Sequence, residues 1–356
     1  MGVEEKKSKL QIAGVIALYW SVSISLVYIN KYIVSRQADN TGGNGEEKPS
    51  VPIFITWSQC IVTCVICWVC GVMGERERGE QSSAGKEKAE SKPSASSFLA
   101  GFPKARYDRD SALKVLPLSL IFVLMIVSNQ LCLKYVEVSF YNVARSLTIP
   151  FNAIFSVVIL GTMVSCRTIM TLVVVITGFI VGCGGEVKLS ILGVQWGLIS
   201  SVAVSLNSIY TKKALPHVMN DAWRLTFINN ANACLLFIPF VLYFEGSMLL
   251  AQSDTLFTSI FVTGLLVAGL LGFMMGIVSV MQIRATSPLT HNISGTAKAG
   301  VQSILAFYIW GNEITFKACL GIFLVLSGSC LYTYVKITEA QKSPAKHQSG
   351  KPLLPK

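Results

Sequence analysis

Lys298 sits where an apolar chain has little use for a charge. It lies near the middle of an apolar run, 288–310, long enough to cross a bilayer, in S-P-L-T-H-N-I-S-G-T-A-K-A-G-V-Q, residues 287–302. A cation at the centre of a spanning helix costs roughly 2.5–3.5 kcal/mol on insertion scales, so it is rarely kept there without an anion to answer it. At helical spacing Ser294, Lys298 and Gln302 share one face, and Gly295 and Ala299 beside them leave room for an approach to the backbone. A second cation, Arg145, belongs to F-Y-N-V-A-R-S-L-T-I-P-F-N, residues 140–152, where Tyr141, Arg145, Thr148 and Asn152 recur at i, i+4, i+7 and i+11. A third polar stripe, Ser21, Ser25, Tyr28 and Lys31, ends the first apolar run. Such stripes either bond helix to helix, with Lys31 reaching for the membrane surface, or face a ligand. Arginine offers paired N–H donors and lysine a point charge, which is the chemistry for gripping an oxyanion.

The elements that must position these residues are membrane spans. Of the 356 residues, 52% are hydrophobic and only 14% charged, against about 25% charged in a soluble globule. Apolar runs of spanning length fall at 10–34, 52–74, 113–135, 138–161, 168–184, 190–211, 225–244, 257–281, 288–310 and 315–335. The expected fold is therefore an all-α polytopic membrane protein with ten transmembrane helices. The first run is too long for a removable signal peptide and is expected to stay in the membrane. The net charge of +11 follows membrane side rather than a nucleic-acid surface. Lys6, Lys7 and Lys9, the bases of 76–109, Arg167, Lys212, Lys213, Arg224, Arg284 and the basic tail share one side. The other side keeps only Arg36, Lys48, Lys134, Lys188 and Lys317. That asymmetry puts both termini in the cytosol. Residues 75–110, charged and serine-rich, read as a disordered cytosolic loop, and no soluble catalytic domain is evident.

The two cation stripes are related by an internal repeat. Placing Asn142-Val143 over Asn292-Ile293 also superposes Lys134 on Arg284, Ile154 on Ile304 and Gly161 on Gly311. Earlier in each half, Ser21-Val22, Ser25-Leu26 and Ile29 match Ser201-Val202, Ser205-Leu206 and Ile209. Five helices precede the repeat, and five is odd, so the second half is inverted relative to the first. The expected organisation is a cytosolic segment 1–9, a five-helix repeat 10–184, an inverted repeat 185–336 and a cytosolic tail 337–356. Inverted repeats with polar, helix-weakening residues at equivalent positions characterise alternating-access transporters with a site near the membrane midplane.

Amides complete the polar inventory. The seventh run opens W-R-L-T-F-I-N-N-A-N-A-C, and Asn229, Asn230 and Asn232 are costly in a membrane unless hydrogen-bonded. They serve either as glue between helices or as readers of a nucleobase edge, since an amide both donates and accepts. Gly269, Gly272 and Gly276 in the eighth run read as helix packing, with pairing of two copies as the second reading. Cys60, Cys64, Cys67 and Cys70 recur at helical spacing without a histidine nearby and read as packing rather than as metal ligands. No Asp or Glu falls well inside an expected span, which argues against ion coupling and against a membrane enzyme needing a carboxylate base. The expected substrate is an organic phosphate moved by exchange.

These segments resemble the nucleotide-sugar transporters of the drug/metabolite transporter superfamily over essentially all ten helices. Phe140-Tyr141-Asn142-Val143 with Arg145-Ser146-Leu147-Thr148, 223–227 with Asn229, Asn230 and Asn232, and 287–299 carry the resemblance. The GDP-mannose members have an F-Y-N-N and a G-A-L-N-K motif, which stand here as Phe227-Ile228-Asn229-Asn230 and Ser294-Gly295-Thr296-Ala297-Lys298. The resemblance implies guanine recognition by Asn229 and Asn230 and a phosphate role for Lys298. Ile228, Ser294 and Ala297 depart from the mannose pattern while the guanine-linked asparagines are kept. What the resemblance implies is an antiporter of the Golgi membrane, taking GDP-fucose in and GMP out, with no cofactor or metal. Carriage of GDP-mannose or a UDP-sugar, or a phosphate-exchanging translocator, stays open, because no residue here reads the difference between fucose and mannose unambiguously. The expected substrate-binding set is Tyr28, Lys31, Tyr141, Asn142, Arg145, Asn229, Asn230, Ser294, Gly295 and Lys298.

Overall fold

The computed structural model describes residues 2–40, 51–83, 107–136, 138–161, 164–184, 190–251, 258–285, 291, 294, 295, 297, 298, 300–302, 305 and 315–342. Every regular element among them is helical, and eight helices are long and apolar enough to cross a membrane. In chain order the helices are α1 (Gly2–Asn40), α2 (Pro52–Ser83), α3 (Arg109–Tyr135), α4 (Val138–Arg145), α5 (Thr148–Leu160), α6 (Cys166–Cys183), α7 (Ile191–Ala214), α8 (Ala222–Ala251), α9 (Ser259–Ala285) and α10 (Phe316–Lys342). The expected ninth span, 288–310, lies mostly outside the described residues, and those of it that are described are helical.

The expected loop from 75 begins later than its charge suggested. α2 continues to Ser83 because E-R-E-R-G-E-Q, residues 75–81, is rich in strong helix formers despite its polarity. For the same reason α1 starts at Gly2, inside the segment expected to precede it. The rest of that loop, 84–106, falls outside the described residues. The expected fourth span, 138–161, is two helices rather than one. α4 and α5 meet at Ser146 and Leu147, four and three residues ahead of Pro150, which has no N–H to continue the ladder.

The chain folds as two compact units, Met1–Lys134 with Leu206–His291, and Tyr135–Ser205 with Asn292–Lys356. Each takes segments from both halves of the sequence. In the first unit, Cys67, Val115, Leu118, Trp223, Phe227 and Ile228 form one core, with Cys64 and Cys70 packed against it. Ile33, Val51, Ile55, Phe261 and Ala268 form another. The α9 glycines are used inside this unit: a Cβ on Gly269 would stand 2.7 Å from Val62, and one on Gly276 would stand 3.1 Å from Thr226.

One buried charge in this unit bears on the expectation that no Asp or Glu falls well inside a span. α8 runs past the expected end at 244, so Glu245 lies within its apolar stretch and is only 4% exposed. Its Oε1 accepts from the Ile53 N–H at 2.8 Å and its Oε2 from the Phe54 N–H at 2.7 Å. These are first-turn amides of α2, which have no partner within the helix, and Pro52 before them has no N–H to satisfy. A carboxylate is favoured there by the helix dipole as well. Glu245 is a cap supplied from almost two hundred residues away.

In the second unit α6 and α10 meet backbone to backbone. A Cβ on Gly321 would stand 2.5 Å from the Gly182 Cα, one on Gly178 would stand 2.8 Å from the Val325 nitrogen, and one on Gly328 would stand 2.9 Å from Val175. Small residues permit that approach, and dispersion then holds the pair. At one end of the pair Ser165 caps α6, accepting from the Thr168 N–H at 3.2 Å, while its hydroxyl donates to Glu339 of α10. That hydrogen bond is the main reason the Glu339 carboxyl ionises below its ordinary range. Partial burial opposes the shift, and Lys336, 3.5 Å away, adds to it.

Candidate functional site

In the second unit the α4–α5 break places Arg145. It is the last residue of α4, where the carbonyl end of a helix favours a cation. The break closes with short-range bonds, Ser146 N–H to Val143 O, Leu147 N–H to Ala144 O and Ile149 N–H to Ser146 O, each at 3.1 Å. Two serines of α7 brace it from outside. Ser201 donates to the Ala144 carbonyl and Ser205 to the Thr148 carbonyl, both at 2.8 Å. Interrupted helices persist in apolar surroundings when neighbouring hydroxyls take up the disturbed backbone groups in this way. Ser201 and Ser205 are the pair picked out by the internal repeat; their role as braces was not evident from spacing.

Arg145 donates from Nη1 to the Tyr141 hydroxyl at 3.2 Å, so two members of the expected stripe join. Lys298, 3% exposed, lies close enough to Arg145 for their charges to repel. Ser294 and Gln302 are buried with it, as the shared face of 287–302 required, and Gly295 is half-buried. The Nε2 of Gln302 is a buried donor with no partner among the described residues, as is the Thr148 hydroxyl. This unit therefore gathers donors and positive charge, with Tyr141, Arg145, Ser294 and Lys298 among them. Asn142 lies on α4, but its side chain is outside the described residues.

The first unit gathers amides. Asn232, buried on α8, donates from Nδ2 to the Ala112 carbonyl at 3.0 Å and to Ser119 Oγ at 3.3 Å, and its Oδ1 accepts from the Tyr107 hydroxyl at 3.0 Å. It is glue between α8 and α3. Among the described residues, Asn229 and Asn230 are only half committed. Asn229 Oδ1 accepts from Ser119 at 2.9 Å, which leaves its Nδ2 as the atom it can offer. Asn230 Nδ2 donates to the Thr226 carbonyl of its own helix at 2.8 Å, which leaves its Oδ1. One residue presents a donor and the next an acceptor. Both are half-buried, whereas Phe227 and Ile228 before them are in the core. Tyr28 is half-buried on α1; Lys31 is on the same helix, with its side chain outside the described residues.

Comparison with known proteins places the chain. The model of the Triose-phosphate Transporter family matches residues 10–333, and the chain belongs to that family. Its relatives are transporters rather than enzymes. GDP-fucose transporter 1 of Monosiga brevicollis is 40% identical over 96% of this chain and 95% of its own length. GDP-fucose transporter 1 of Mus musculus is 41% identical over 94% and 85%. The Golgi GDP-fucose transporter of Drosophila melanogaster is 34% identical over 94% and 92%. A solved crystal structure, 12% identical, shares the fold with a TM-score of 0.55 over 94% of this chain and 99% of that one.

Proposed function

We propose that this protein is an antiporter that carries GDP-fucose into the Golgi lumen and returns GMP by alternating access. In this reading ten transmembrane helices form two inverted five-helix repeats, 10–184 and 185–336, with both termini in the cytosol. Arg145 and Lys298 hold the phosphates, with Tyr141, Asn142, Ser294, Gly295, Tyr28 and Lys31 completing the contacts. Asn229 and Asn230 read the base.

The observation that carries the proposal is the buried Lys298 with the half-buried Arg145 near enough for their like charges to interact. Two cations held together are stabilised when a polyanion lies against both, and a diphosphate has the charge and the oxygens to do so. The amides supply the second support. Guanine shows an acceptor at O6 beside N–H donors, which the open Nδ2 of Asn229 and Oδ1 of Asn230 complement. The names of the relatives supply the third. A GDP-sugar and doubly ionised GMP carry the same charge, so their exchange is close to electroneutral.

The test is uptake of labelled GDP-fucose, GDP-mannose and a UDP-sugar by liposomes holding the purified protein, preloaded with GMP, with UMP or with nothing. GDP-fucose uptake that requires internal GMP is the expected result. Preference for a UDP-sugar would remove the role given to the amides, and uptake indifferent to internal nucleotide would remove exchange.

A further inference from the structure

We propose that Ser119 is a positioning residue that sets the base preference of the transporter by fixing which end of the Asn229 amide faces the substrate. The proposal rests on the reading that Asn229 contacts guanine. A primary amide looks nearly the same in shape either way round, but its two ends have opposite hydrogen-bonding character. Turned one way it meets guanine O6 with a donor; turned the other way it meets O6 with an acceptor, and suits the amino group that adenine carries at that position instead. An unrestrained Asn229 accepts both bases. Selectivity therefore depends on whatever holds the amide in place.

Ser119 is placed to do so. It is fully buried on α3, and its hydroxyl donates to Asn229 Oδ1 at 2.9 Å, a shorter contact than the 3.3 Å to the Val115 carbonyl of its own helix. A hydroxyl has one proton to give. The Ser119 oxygen also accepts from Asn232 Nδ2 at 3.3 Å, and the remaining end of Asn232 is itself fixed, accepting from Tyr107 at 3.0 Å. The chain Tyr107, Asn232, Ser119, Asn229 thus runs in one direction, with every donor facing an acceptor, and ends on an Nδ2 that can only donate. Asn232 keeps the Ala112 carbonyl at 3.0 Å whatever happens at Ser119, so α3 and α8 stay joined when Ser119 is changed.

The experiment measures how well unlabelled GMP and AMP compete with labelled GDP-fucose for uptake, in the native protein and in S119A, N229A and the S119A/N229A double variant. Loss of one oriented hydrogen bond is expected to lower the preference for GMP over AMP by roughly three- to tenfold in S119A. The double variant is expected to match N229A, because Ser119 acts only through Asn229. A merely structural Ser119 would lower uptake while leaving the ratio of the two competitors where it was. S119C, which fills the same space with a weak donor, is expected to lose the preference as S119A does. If N229A loses the preference while S119A and S119C keep it, the positioning role is overturned and guanine recognition stands. If N229A also keeps it, guanine recognition by Asn229 is overturned together with the inference built on it.

Discussion

Each of the two units buries a charge, and the two charges are treated in opposite ways. In the first, Glu245 is met by two backbone N–H groups at a helix start, groups that would otherwise lack partners. In the second, Lys298 is set against another cation, Arg145. Both positions are almost fully enclosed, so burial alone does not distinguish them. The neighbours do. A carboxylate bound to backbone N–H groups serves the fold, whereas two like charges near one another favour an anion lying against both. A like distinction holds among the asparagines, where among the described residues Asn232 has both ends committed and Asn229 and Asn230 one end each.

The contrast can be broken most directly at Lys298. K298A is expected to lower GDP-fucose exchange by about 30-fold or more, the usual effect of removing a buried charge from an anion contact, while protein yield and thermal stability hold. Unchanged exchange would return Lys298 to the class of structural charges. E245A is expected to do the reverse, lowering stability by about 2 kcal/mol as Ile53 and Phe54 lose their acceptors, with nucleotide preference intact. Thermal unfolding in detergent, followed with and without GMP, separates the two. N229A should leave folding alone and reduce discrimination among nucleobases by roughly tenfold, read by competition among GMP, AMP and UMP.

The smallest effect concerns Glu339, whose carboxyl ionises below its ordinary 4.5 chiefly through the Ser165 hydrogen bond. A lowered folded-state value means the contribution is complete above the ordinary value and is lost as pH falls through the lowered one. Being partly exposed, it should show only as a slight extra loss of stability in acid, below about pH 4.5, that E339Q lacks. An equal acid profile for the two proteins would assign no role to that contact.

Much of the candidate site could be read from periodicity. The face shared by Ser294, Lys298 and Gln302 is buried together, and the stripe of Tyr141 and Arg145 is joined by a hydrogen bond, because residues three or four apart on a helix must be neighbours. What periodicity does not carry is partnership between distant segments. Glu245 fell one residue beyond its expected span, and nothing near it in sequence indicates that it caps α2. Ser119 is 110 residues from Asn229, so the split of that amide into a committed and an open end was not legible. The α4–α5 break left a local signal in Pro150, outweighed by an otherwise continuous apolar run.

The glycine contact of α6 with α10 has a mechanical consequence. With Gly321 seated against Gly182 and Gly178 against Val325, sliding one helix past the other by a turn, about 5.4 Å, would drive branched side chains into backbone. The two helices are therefore interlocked against sliding by a turn, and a movement of one along its axis has to carry the other with it.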